Sequence, residues 1–112
     1  MNIVIIESPF AGDVEGNIKY ARACMRDSLL RGEAPYASHL LYTQEGVLDD
    51  LIPSEREMGI YAGFEFKHNP DVLTVFYTDN GWSGGMKLAL DYCIKHGMKY
   101  EERTLTNYEV KL

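Results

Sequence analysis

The sequence is short of cysteine, of long apolar runs and of clustered cations, and each shortage removes a class of protein. Cysteine occurs twice, as Cys24 and Cys93. Neither belongs to a CxxC or His/Cys cluster, so thiol-redox and zinc motifs are absent and no metal or cofactor is expected. Both fall on or near the apolar face of an expected helix, where cysteine acts as a small buried residue in a reducing compartment. No apolar stretch approaches the roughly 20 residues of a membrane-spanning helix, so no membrane partner is expected. Met1–Ile6 is short, uncharged at its start and soon followed by Ser8-Pro9, unlike a signal peptide, which makes the cytoplasm the expected location. Lys and Arg number 11 against 17 Asp and Glu, a formal net charge of −6. The cations are scattered, whereas proteins that grip nucleic-acid polymers carry a basic patch or stripe. A small anionic ligand remains compatible with this charge, because backbone N–H groups and one or two local cations suffice to hold it.

What is present reads as one ordinary globular domain of 112 residues, 46% hydrophobic and 25% charged, without linker or repeat. Asn2–Ile6 and Val72–Tyr77 are short β-branched runs suited to strands buried on both faces of a parallel sheet. Asp13–Arg31 has helical spacing, with Val14, Ile18, Ala21, Met25 and Leu29 on one side and Gly32 as its stop. Ala34–Leu41 is a second strand with weaker alternation, and Tyr42–Pro53 is irregular. Ser54-Glu55-Arg56-Glu57 reads as a capping box opening a helix that runs to about Phe66. Met86–His96 is a helix closed by Gly97, and Lys99–Leu105 a last strand, with the residues beyond it pairing at an edge or supporting an oligomer. The order β-α-β-α-β-α-β predicts a single three-layer α/β domain. Its parallel sheet has four to five strands in flavodoxin- or Rossmann-like order, with helices on both faces. In such sheets ligands bind outside the carboxyl ends of the strands, where the strand order reverses.

Three segments should meet there. Ser8-Pro9-Phe10-Ala11-Gly12-Asp13 leaves the first strand; it either offers small residues and free helix N–H groups to an anion, or is a tight turn capped by Asp13. Asp79-Asn80-Gly81-Trp82-Ser83-Gly84-Gly85-Met86 leaves the third strand. Its glycines suit an anion or sugar, Asp79 and Asn80 suit ribose hydroxyls, and Trp82 either stacks on a ligand or packs in the core. It is neither a GxGxxG fingerprint nor a P-loop. The third segment, Tyr36–Asp50, brings Ser38, His39, Tyr42, Thr43 and Gln44, a mixture able to close over a base. Arg56 reaches the pocket or is solvated helix charge, while His68 and His96 are expected at the surface.

Taken in order, Ser8–Asp13, Ser38-His39-Leu40-Leu41-Tyr42, Glu55-Arg56-Glu57-Met58-Gly59 and Gly81-Trp82-Ser83-Gly84-Gly85-Met86 resemble the nucleoside 2-deoxyribosyltransferase-like family, especially its small bacterial and phage members. The resemblance spans nearly the whole chain. It implies a nucleotide-type ligand and cleavage of N-glycosidic bonds by a glutamate in a Gly-Met-x-x-Glu stretch, with chemistry like that of retaining glycosidases. Here that stretch is Gly85-Met86-Lys87-Leu88-Ala89, so Ala89 stands at the nucleophile's place, and Asp91 lies roughly 200° further round the helix. The expectation is therefore a non-catalytic binder, a phage-encoded sponge in the host cytoplasm for a cyclic ADP-ribose-type or cyclic dinucleotide signal. The alternatives are an N-glycosidase or deoxyribosyltransferase with a relocated carboxylate, Glu7 or Asp79, and a structural or protein-binding domain. A symmetric homo-oligomer is expected, since relatives of the family often close their sites with a neighbouring subunit.

Overall fold

The two β-branched runs lie side by side at the centre of one sheet. In the computed structural model, which describes residues 1–105, β1 (Ile3–Glu7) pairs with β3 (Leu73–Tyr77), with Ile5 opposite Thr74 and Glu7 opposite Phe76. β2 (Ala34–Tyr36) flanks β1 and β4 (Tyr100–Arg103) flanks β3, giving an all-parallel sheet of order β2-β1-β3-β4. The strand order reverses between β1 and β3. The role expected for the residues after Leu105 lies outside the described residues.

Alternation along the central strands divides the core into two layers. Val4, Ile6, Val75 and Tyr77 face α1 (Val14–Leu30), where they meet Tyr20 and Cys24. Phe76 faces the other side and packs with Phe64 of α3 (Pro53–Glu65) and with Met86, Ala89 and Cys93 of α4 (Gly84–Lys95). The result is a three-layer α/β domain with helices on both faces of the sheet. Both cysteines are buried and free of disulfides, and burial pushes the Cys24 thiol up to about 12. No helix among the described residues is long and apolar enough to cross a membrane.

The structure departs from the sequence pattern in four places. β2 stops at Tyr36, and Ser38–Leu41 forms a short helix, α2, rather than continuing the strand. β2 is an edge strand carrying Pro35, which cannot donate to a ladder, and Ala37 starts the turn by accepting from Leu40 N–H at 3.1 Å. The capping box at Ser54 does not form: the cap is Ile52, two residues earlier, and Pro53 is in the first turn of α3. Proline's fixed φ and missing N–H favour that position, and Glu55 accepts from the Asp49 N–H instead. The buried face of α1 is Tyr20, Ala21, Cys24 and Ser28, while Val14 and Leu29 are exposed. Tyr20 and Ser28 go inside because their hydroxyls find partners, Asp79 and Glu33. Finally, α4 starts two residues before Met86, capped by the Ser83 hydroxyl, which accepts from Met86 N–H at 3.2 Å.

Candidate functional site

At the carboxyl ends of β1 and β3 the chain leaves the sheet in two loops, and between them, α2 and α3 lies a cavity of about 260 Å³. Its floor is the end of β1, Glu7 and Ser8, with Phe10 and Ala11 following. Ser38 and His39 come from α2, Arg56, Ile60 and Phe64 from α3, and Ser83, Gly84 and Gly85 from the start of α4. A smaller annex of about 60 Å³ continues past His39 towards Tyr42, Thr43 and Gly59.

Local chemistry fixes each wall. Asn17 of α1 donates from its side chain to the carbonyls of Phe10 and Ala11, at 2.9 and 3.1 Å, which pins the loop after β1. Asp13 caps α1 by accepting from Gly16 N–H. A Cβ at position 16 would lie 2.3 Å from the Asp13 carboxylate, so the cap requires glycine there. At α4, the Ser83 side chain and carbonyl take the N–H groups of Met86 and Lys87. The N–H groups of Gly84 and Gly85 are left without a partner among the described residues, as the first turn of a helix dictates. Both glycines line the cavity.

Two polar pairs dominate the floor. The Glu7 carboxylate accepts from Lys67 Nζ at 2.7 Å, and the fully buried Lys67 ammonium also lies 3.4 Å from the Thr74 hydroxyl. Ser8, 7% exposed, has its Oγ 3.0 Å from His39 Nε2. The His39 ring stands edge-on to Phe10, and its main-chain carbonyl accepts from the Thr43 hydroxyl. Burial holds the imidazole below its ordinary value of 6.5, with the Glu7 and Asp50 charges pulling the other way. Burial thus favours the neutral ring.

Of the residues singled out from the sequence, Ser8, Phe10, His39, Ser83, Gly84 and Gly85 come together here, and Tyr42 lines the annex, its hydroxyl accepting from that of Tyr36. Pro9 and Gly12 belong to the same loop but do not line the cavity. Nor do Asp79, Asn80, Gly81, Trp82 and Met86. Asp79 turns to α1, where its carboxylate accepts from the Tyr20 hydroxyl and the Leu105 N–H. Trp82 packs on Phe76, ring centres 5.0 Å apart, and Met86 is buried in the core. Arg56, left open by the sequence, is at the cavity. Lys67 was missed altogether, although its place three residues after Phe64 puts it on the buried face that Ile60 and Phe64 define.

The family described as a domain of unknown function (DUF7768) matches residues 2–103. The chain belongs to that family. No curated protein and no solved structure matches it. The DUF7768 match takes in all four strands and every residue lining the cavity, so the site lies within the family's domain rather than on an appendage.

Proposed function

We propose that the cavity binds one small nucleotide-derived ligand and holds it without cleaving its N-glycosidic bond, as a sequestering protein would. The observation that carries this reading is the pairing, across one cavity, of two unbonded helix N–H groups at Gly84 and Gly85 with Ser8, His39 and Arg56. Free N–H groups at a helix start suit a phosphate or carboxylate, and Arg56 adds a cation with no ion-pair partner among the described residues. The hydroxyls of Ser8 and Ser38 suit a sugar, and Phe10, Ile60 and Phe64 supply an apolar wall for a base. At about 260 Å³ the cavity sits just below the roughly 300–1,000 Å³ of common small-molecule sites. One nucleoside-sized unit therefore fits better than a cyclic dinucleotide. The resemblance to nucleoside 2-deoxyribosyltransferase-like proteins points to the same ligand class. Ala89, at the place of their nucleophile, is wholly buried and has no lone pair to offer.

The test is to incubate the protein with nucleosides, nucleotides, cyclic ADP-ribose isomers and cyclic dinucleotides, remove unbound material, and identify what heat releases by mass spectrometry. Intact ligand near one per chain is expected, and its identity decides whether the captured molecule is a defence messenger of the kind a phage would sequester. Free base with a pentose product would overturn the non-cleaving reading, and an empty protein would overturn binding itself.

A second reading, glycosidic cleavage by a relocated acid, draws support from Glu7, whose carboxylate lines the cavity and is held by Lys67. Asp79, bonded to Tyr20 and Leu105, is the weaker candidate. It requires that Glu7→Gln abolish base release.

A further inference from the structure

Ser8 and His39 do more than line a binding site. A serine hydroxyl within hydrogen-bond reach of a half-buried imidazole is an arrangement in which a weak nucleophile gains a base. Here Ser8 Oγ lies 3.0 Å from His39 Nε2, supplied from 31 residues away in sequence, so the fold and not local chain geometry brings them together. The imidazole packs edge-to-face with Phe10, and the Thr43 hydroxyl donates to the His39 main-chain carbonyl. Gly84 and Gly85, at the start of α4, line the same cavity, and their N–H groups have no hydrogen-bond partner among the described residues. Acyl transfer needs these parts together: a nucleophile, a neutral base, and two backbone donors for the oxygen that becomes negative.

We propose that Ser8 is a nucleophile towards small carboxylic esters, with His39 as its general base and the Gly84 and Gly85 N–H groups holding the oxyanion. The Ser8 oxygen forms a bond to the acyl carbon while its proton passes to His39 Nε2. The tetrahedral centre then collapses, the carbon–alkoxy bond breaks, and the same proton goes to the leaving alcohol. Water attacks the acyl-serine, gives its proton to His39, and Ser8 departs, recovering that proton as the carboxylic acid leaves. The cycle requires the imidazole tautomer with its proton on Nδ1. Burial keeps the ring neutral and ready to accept, and of the charged groups around the cavity Glu7 and Asp50 favour the protonated ring while Arg56 adds positive charge. The cavity's size limits the substrate to a short acyl group on a small alcohol, and an acyl ester of a sugar hydroxyl is the class that agrees with the ligand proposed above. The inference goes beyond that reading: it assigns a reaction to Ser8, His39, Gly84 and Gly85, which that reading uses for binding alone.

The experiment uses the full chain and p-nitrophenyl acetate, with nitrophenol release followed by absorbance and the site of acetylation by peptide mass mapping. Acetylation of Ser8 is expected, with release lowered roughly 100-fold or more in Ser8→Ala and His39→Gln. Gly84→Pro tests the donors separately. Position 84 is the first residue of α4, where proline is tolerated. Ser83 before it is already extended, at φ −81 and ψ 168, as a residue preceding proline must be, and a Cβ at 84 meets nothing within 4 Å. Removing that one N–H should lower release by about 100-fold, while circular dichroism stays that of the parent. Acetyl groups only on lysines or the amino terminus of the folded protein would overturn the inference, as would undiminished release in Ser8→Ala. Retention of nucleosides, measured on the same samples, separates the two proposals. Binding without acetylation removes only the nucleophile, and acetylation without nucleoside binding removes only the nucleotide reading.

Discussion

Glu7 and Asp79 stand at the carboxyl ends of the two central strands, yet the sheet turns them to opposite faces and opposite environments. Asp79 meets α1, where Tyr20 and the Leu105 N–H consume its oxygens. On that face further polar groups close into a network: Arg103 pairs with Glu33 at 2.8 Å and donates to the Tyr77 hydroxyl, which donates to Asp27. The guanidinium beside Glu33 holds its carboxyl below the usual range. Glu7 faces α3 and α4, is held by one buried lysine, and opens onto the cavity. One face spends its polar groups on itself, while the other opens onto a cavity where Arg56 has no ion-pair partner among the described residues. Side-chain alternation along parallel strands is enough to make that separation.

The sharpest way to break this comparison is to strip each carboxylate of its partner. Lys67→Met leaves Glu7 without its cation at a mostly buried position, so stability should fall by about 3 kcal/mol or more, measured by urea unfolding. Adding Glu7→Leu to it should recover most of the loss, because replacing a whole buried pair by apolar groups is often neutral; no recovery would mean that Lys67 matters for something besides Glu7. Asp79→Ala removes an ionised acceptor from the α1 face and should cost about 2–3 kcal/mol with ligand affinity unchanged. A loss of affinity at constant stability would instead move Asp79 into the site. Arg56→Ala should do the reverse, weakening a phosphorylated ligand by about tenfold, or ~1.4 kcal/mol, with stability changed by less than about 0.5 kcal/mol; calorimetric titration checks both. Ser83→Ala removes the α4 cap and should lower stability by about 1 kcal/mol.

The smallest effect expected is that of pH. Burial depresses the folded His39 below its ordinary 6.5, so the unfolded chain binds a proton the folded chain resists. The stability that His39 contributes is therefore present above about 6.5 and lost as pH falls through the folded value. In urea titrations from pH 7.5 to 5, His39→Gln should flatten that part of the decline. An equally steep decline in the variant would assign it to other groups.

The fold was legible because its centre is written in two runs, Asn2–Ile6 and Val72–Tyr77, that suit buried strands, and because Gly32 and Gly97 end helices where the pattern stops. The site was half legible. Ser8, Phe10 and Ser83–Gly85 could be placed because they directly follow strands in an α/β order. The β3 loop misled for a physical reason. Its polar Asp79 and aromatic Trp82 look like ligand contacts, but both are satisfied by protein partners, Asp79 by Tyr20 from remote α1 and Trp82 by Phe76 of the preceding strand. His39 was expected at the end of a strand and arrives on a four-residue helix, too short to leave a periodic signal. Lys67 falls on the buried face by position, but a lysine after a helix ordinarily reads as solvated, and its partner Glu7 lies 60 residues away.

The pairing of β1 with β3 also bears on how the protein is made. Ile3–Glu7 is translated before its central partner, Leu73–Tyr77, and α1, β2, α2 and α3 lie between them in the chain. At bacterial or eukaryotic elongation speeds of roughly 5–20 residues per second, an apolar strand with one short edge partner waits for seconds before the sheet can close. During that interval β2 is the one sheet neighbour of β1 already translated, and the cavity, which the first turn of α4 helps to line, is incomplete. Synthesis of this chain thus passes through a window in which a nascent-chain chaperone has an apolar strand to hold and any small-molecule ligand has nothing to bind.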